Sequence, residues 1–154
     1  GEIEEVIRSS GIAPATLVLE ITERVLIADL ESASRILERV RAMGVRVHVD
    51  DFGTGYSSLS SLHQCSLDGI KLDRRFMKNV EQRQDYAAVV KAVVNLAKNL
   101  GLTIVAEGVE SVEHLGLLRS MDCSHAQGFY FDQPCESAAA EAFIDRQLVC
   151  PMAA

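Results

Sequence analysis

Val45-Arg46-Val47-His48-Val49-Asp50-Asp51-Phe52-Gly53 is the stretch on which the fold turns. Three valines in its first five residues read as a strand, and the strand runs directly into two acids and a glycine. Just upstream, Leu30 to Met43 carries apolar residues at 30, 33, 36, 37, 40 and 43, one face of a helix. Gly44 stands where a left-handed C-terminal cap is wanted. Successive side chains of a strand point to opposite faces. Asp51 is therefore expected to lie past the strand end, with Gly53-Thr54-Gly55 turning the chain so that both acids reach one site.

The helix-then-strand phrase repeats on both sides of this stretch. Upstream, Glu2 to Ser10 reads as a helix closed by Gly11, and Pro14 marks a turn. Leu17-Val18-Leu19 is then a strand leading into Glu20-Ile21-Thr22-Glu23. Downstream, a short helix is expected over Ser57 to Gln64 and a strand over Leu67 to Leu72, carrying Lys71 toward Asp73. Tyr86 to Leu100 has the strongest helical periodicity, and Gly101 closes it. Leu102 to Ala106 is a strand ending at Glu107, and Ser111 N-caps a helix to about Met121. His125 to Phe131 reads as a fifth strand and Ser137 to Leu148 as a closing helix. No linker, low-complexity run or second domain interrupts the pattern.

Five strands alternating with helices through short loops predict an α/β fold with parallel strands in βα units. Their Val/Ile/Leu character fits a sheet covered on both faces. Two architectures satisfy this pattern, an open doubly wound sheet and part of a (β/α)₈ barrel. A barrel ordinarily takes roughly 250 residues and eight units, so length alone favours the open sheet.

Composition narrows the function classes. The 154 residues are 48% apolar and 24% charged, an ordinary globular balance. Fifteen basic against 22 acidic residues give a net charge of −7, which disfavours binding to DNA phosphates. No apolar run approaches the roughly 20 residues that span a bilayer. Gly1-Glu2-Ile3-Glu4-Glu5 lacks the positive charge of a secretory leader. A cytoplasmic location without membrane contact is the expectation. The four cysteines contain no C-x-x-C pair and read as reduced thiols.

The informative polar residues sit at strand ends: Glu20 and Glu23, Asp50 and Asp51, Lys71 and Asp73, Glu107 and Glu110, and Gln127. In parallel α/β folds all strand C-termini share one face, so these side chains are expected to converge. One such acid is an ordinary helix-start residue. Acids at four of five strand ends, with a lysine among them, repel one another unless hard cations sit between them, and this points to Mg²⁺ or Mn²⁺. Scattered caps and surface salt bridges are the competing reading. Asp51-Phe52-Gly53 also matches the protein-kinase Mg²⁺ triplet, but no glycine-rich loop with its lysine and no His-Arg-Asp segment accompanies it.

Taken in order, Glu20-Ile21-Thr22-Glu23, Asp50-Asp51-Phe52-Gly53-Thr54-Gly55-Tyr56-Ser57-Ser58-Leu59, Lys71-Leu72-Asp73, Ala106-Glu107-Gly108-Val109-Glu110 and Gln127-Gly128 carry a family resemblance. Together they resemble the bacterial EAL-domain phosphodiesterases, which hydrolyse cyclic di-GMP to linear pGpG. The likeness covers about Gly11 to Leu148 and implies a partial TIM-type (β/α)₈ barrel of about five βα units. It implies that residues 1–154 are the C-terminal portion of a single such domain. It further implies a two-metal site for Mg²⁺ or Mn²⁺, with Glu20 and Asp50 on the first ion and Asp51 on the second. Glu107 would be a metal ligand or the base for the attacking water, and Lys71 would orient that water. Asp73 and Glu110 would support the second site, Glu23 would anchor the loop after Asp51, and Gln127 with Gly128 would line the substrate pocket.

The chain also departs from the family pattern. The Glu-Ala-Leu motif and the Asn ligand on the following barrel strand do not occur in it. His48 replaces a smaller residue, Gln133 stands where a basic residue is frequent, and Ser66 replaces a frequent proline. Two functions are therefore set side by side: the catalytic portion of a phosphodiesterase, and a non-catalytic regulatory module that binds cyclic di-GMP or a protein partner. Strands without neighbours at the ends of a parallel sheet invite pairing, so a homo-oligomer is expected.

Overall fold

The computed structural model describes residues 1–54, 62, 65–81 and 83–149, with the side chains of 27 and 146–149 left aside. Helix α1 (Glu2–Ser10) ends at Gly11 in the left-handed conformation. A single 3-10 turn (Pro14–Thr16) leads to β1 (Val18–Thr22), the short α2 (Glu23–Ala28) and α3 (Leu30–Ala42). The Asp29 carboxylate caps α3 by accepting the Ser32 N–H at 3.0 Å. Strand β2 (Arg46–Phe52) follows, then β3 (Gly69–Leu72), α4 (Arg74–Met77), α5 (Gln84–Asn99), β4 (Thr103–Glu107), α6 (Val112–Ser120), β5 (His125–Gln127) and α7 (Ser137–Val149). The helix expected over Ser57 to Gln64 lies outside the described residues apart from Leu62, which is helical and buried.

The strands form one parallel sheet in the order β1-β2-β3-β4-β5. This order decides between the two architectures. A doubly wound sheet reverses its strand order at a switch point, whereas a barrel adds each new strand beside the last. The chain is an α/β fold with the winding of a partial (β/α)₈ barrel, and the expectation from length alone is overturned.

One face of the sheet is apolar. Val47, Val49, Ile70, Leu72, Ile104 and Ala106 are buried there, joined by Ala33, Leu37 and Val40 of α3 and by Val90, Val94 and Ala97 of α5. Glu20, His48, Asp50, Lys71 and Glu107 alternate with these residues along the strands and so stand on the opposite, polar face. Among the described residues, the apolar cover lies on the side of α3 and α5. Valine-rich strands report burial of the helix-covered side and say little about a face that carries one polar residue in every two.

Two local features differ from the sequence reading. Asp51 does not lie past the strand end. It is a bulged residue inside β2, at φ +55°, where the β2–β3 register shifts between Val49 and Phe52. The extra residue lets Asp50 and Asp51 follow each other without pointing apart, and Phe52 returns to the apolar side. Strand β5 stops at Gln127 and does not reach Phe131. Gly128 packs so tightly on the Val109 backbone that a Cβ would collide with the Val109 carbonyl oxygen. The chain then turns, with the Phe131 N–H donating to the Gly128 carbonyl.

Candidate metal centre at the strand C-termini

Lys71 organises the polar face. It sits on β3 between β2 and β4, with only 8% of its side chain exposed. Its Nζ lies 2.6 Å from Glu107 Oε1, 2.8 Å from Glu20 Oε2 and 3.3 Å from Asp50 Oδ1. Thus acids from β1, β2 and β4 converge on one ammonium. Burial works against its charge, but hydrogen bonds to Glu107 and Glu20 and the charges of Glu107 and Asp50 prevail, and its pKa is raised. The acids around it thus favour the charged form of Lys71.

One ammonium cannot balance the acids around it. Oxygens of Asp50, Asp51 and Glu107 lie within 4.8 Å of one another. Asp50 Oδ1 is buried, and among the described residues it makes no hydrogen bond; its contact with Lys71 is an ion pair at 3.3 Å. Desolvation by its neighbours and the Asp50 charge raise the Asp51 pKa, and Asp73 adds to the effect. Behind Asp51, Asp73 resists the desolvation that would raise its own pKa. Arg75 donates to its Oδ1 from the backbone N–H and from Nε, each at 2.8 Å, and these bonds lower the pKa. Three carboxylates around an unbonded, buried oxygen suit a hard divalent cation such as Mg²⁺ or Mn²⁺, which prefers oxygen ligands.

The remaining sequence-identified residues fall around this centre. Glu23 is buried at the start of α2, and its Oε2 accepts the Gly53 N–H at 3.2 Å. That bond ties the turn after Asp51 to the end of β1. Glu110, Gln127 and Gly128 line a cleft together with Glu107, Arg74 and Phe129. Glu110 thus borders the same cleft as Gln127 and Gly128. His48, one strand position below Asp50 on the same face, is buried and its Nε2 has no hydrogen-bond partner among the described residues. Its ring occupies the space above Gly69, where a Cβ would come within 2.6 Å of that nitrogen.

Sequence reading passed over Arg74, Arg75 and Phe129. Arg75 lines a second cleft with Thr22, Glu23, Arg24, Asp51 and Thr54. A signal was present: two arginines open α4, where the helix dipole disfavours cations. Phe129 is 61% exposed directly after Gly128, and an exposed aromatic beside a polar cleft is a recognisable binding feature.

Comparison with known proteins agrees with this geometry. The family model of the EAL domain matches residues 1–134. The cyclic di-GMP phosphodiesterase NbdA of Pseudomonas aeruginosa is 38% identical over 143 residues, 93% of this chain and 18% of NbdA. The solved structure of the MucR phosphodiesterase in complex with c-di-GMP superposes with a TM-score of 0.86 at 37% identity, covering 90% of this chain and 56% of that one. A manganese/c-di-GMP complex of Klebsiella pneumoniae BlrP1 superposes with a TM-score of 0.82 at 34% identity, covering 88% of this chain and 34% of that one. The chain therefore spans less than a fifth of NbdA and little over half of the MucR structure. With the family model covering most of its length and these relatives 34% to 38% identical over the aligned residues, the chain belongs to the EAL domain family.

Proposed function

We propose that this chain contributes to metal-dependent hydrolysis of a phosphodiester bond of cyclic di-GMP, giving linear pGpG, as part of an EAL domain. The observation that carries the reading is the grouping of Asp50, Asp51 and Glu107 oxygens beside an ammonium that already serves three acids. Two relatives whose structures contain c-di-GMP, one with manganese, support the choice of ligand and metal class.

In this reading Asp50, Asp51, Glu107 and Glu20 hold Mg²⁺ or Mn²⁺, with Asp73 behind Asp51. When bound, such a pair of ions acidifies a water and neutralises charge on the phosphoryl oxygens. Lys71 keeps its proton and directs it at the oxygens between β1, β2 and β4, holding the acids in register and orienting the attacking water by donation. Glu107, at the end of β4, is placed either to ligate or to accept the proton of that water. Glu23 holds the turn at Gly53 so that the bulge presenting Asp51 keeps its shape. Gln127 and Gly128 border the cleft that takes the nucleotide, with Phe129 offering an apolar surface to a base. Strands β1 and β5 are the sheet edges, and pairing through them with a second copy is part of the same reading.

The direct test is turnover of cyclic di-GMP with Mg²⁺ or Mn²⁺, followed by separation of pGpG from substrate. Wild-type chain should convert it, chelator should stop the reaction, and Asp50→Asn should lower the rate by at least about a hundredfold. No turnover with either metal contradicts the enzymatic reading. Metal-dependent binding of the dinucleotide without cleavage favours the regulatory module instead.

A further inference from the structure

The proposed chemistry leaves unused a second polar network, on the far side of Glu107. His114 lies in the first turn of α6 and is 9% exposed. Its Nδ1 accepts the Glu110 N–H at 3.3 Å. An accepting Nδ1 leaves the ring proton on Nε2, and Nε2 faces Glu81 Oε1 at 3.1 Å. The same Glu81 oxygen accepts the Ser111 hydroxyl at 3.0 Å, and Ser111 Oγ accepts the His114 N–H at 3.0 Å. Every polar atom of the imidazole is engaged, and each partner belongs to a connection at the active end of the sheet.

The two connections carry different parts of the candidate site. Glu81 closes the segment that begins at Asp73, while Glu110 and Ser111 belong to the segment that begins at Glu107. They also abut directly. Gly108 has φ +72°, and a Cβ there would lie 2.6 Å from Arg74 Cβ. The seam is thus closed by contact at one point and latched by His114 at another. Without the latch, the Glu110 N–H loses its acceptor, and the Glu107–Glu110 segment keeps only the Ser111 hydroxyl as its hydrogen bond to Glu81.

We propose that His114 is a positioning residue, which through Glu81 and the Glu110 backbone holds the Glu107–Glu110 segment where Glu107 meets Asp50 and Asp51. Its consequence for turnover rests on the phosphodiesterase reading; its consequence for the loop and for metal binding does not. A side chain that merely filled space would tolerate an isosteric apolar group. A latch needs one acceptor and one donor, which glutamine supplies and alanine does not.

The test compares wild type, His114→Ala and His114→Gln in the full chain. Hydrogen exchange at the Glu110 amide reads the latch, titration with Mn²⁺ alone reads the site, and kcat against KM for cyclic di-GMP reads the chemistry. His114→Ala should exchange faster at Glu110, bind Mn²⁺ about tenfold more weakly and lose about tenfold in kcat with little change in KM. His114→Gln should recover all three. Wild-type Mn²⁺ affinity in His114→Ala, despite faster exchange at Glu110, overturns the proposal. If wild type shows no turnover, the phosphodiesterase reading has failed and the Mn²⁺ titration alone decides; equal binding in the three proteins, or none, counts against His114. Should His114→Ala fail to fold, Glu81→Ala cuts the same latch from its more exposed side and carries the same expected and contradicting results.

Discussion

At the N-terminal end of the sheet, Asp68 is fully engaged. Arg41 donates to it from Nε at 3.2 Å and from Nη2 at 3.0 Å, and the Val47 N–H adds a third bond at 2.9 Å. At the C-terminal end, one ammonium serves Glu20, Asp50 and Glu107, while Asp51 crowds the same space and Asp50 Oδ1 has no hydrogen bond among the described residues. The two ends belong to one sheet, yet only one closes its charges. An acid with both oxygens hydrogen-bonded stabilises a fold, whereas a group of acids left short of positive charge is stabilised only when a cation arrives.

The sharpest way to break the comparison is to remove Lys71. Lys71→Met leaves its acids facing one another with no cation, and in chelator should cost about 3–5 kcal/mol of unfolding free energy. Added Mn²⁺ should recover much of that loss, and more in the variant than in wild type. Urea titrations with and without the ion check both statements. At the closed end, Asp68→Ala strips acceptors from Arg41 and from the Val47 N–H, a loss of about 2 kcal/mol. There Mn²⁺ should not compensate beyond its effect on wild type, and Mn²⁺ affinity should remain unchanged.

The smallest effect concerns pH. Desolvation by its neighbours and the Asp50 charge raise the Asp51 pKa, so the folded chain keeps a proton that the unfolded chain has already released. Stability in chelator should therefore fall as pH rises from the ordinary carboxylate range through the raised value, and then level off. Asp51→Asn should flatten that slope and slightly raise the urea midpoint at neutral pH. An unchanged slope would show that the C-terminal end is not short of positive charge at Asp51.

Much of this contrast was legible in the sequence, for a physical reason. Strand C-termini of parallel α/β folds face one way, so the positions of Glu20, Asp50, Lys71 and Glu107 sufficed to bring them together. The helices over Leu30–Ala42 and Gln84–Asn99 likewise follow from spacing alone. What spacing could not supply was pairing. The bulge at Asp51 exists because β2 and β3 slip register between Val49 and Phe52, and a register shift leaves no trace in either strand taken singly. The early end of β5 depends on Gly128 meeting the Val109 backbone, a contact between residues that follow the ends of two different strands. His114 was read as part of a helix, and its links to Glu81 and Glu110 appear only once the two connections are adjacent.

Crystals grown with Mn²⁺ and measured for anomalous scattering test the central claim most directly. The account predicts density between the Asp50, Asp51 and Glu107 carboxylates, beside Lys71, and its loss in Asp50→Asn. A map with no peak among those oxygens, or with its strongest peak at the Arg41–Asp68 end of the sheet, would contradict it.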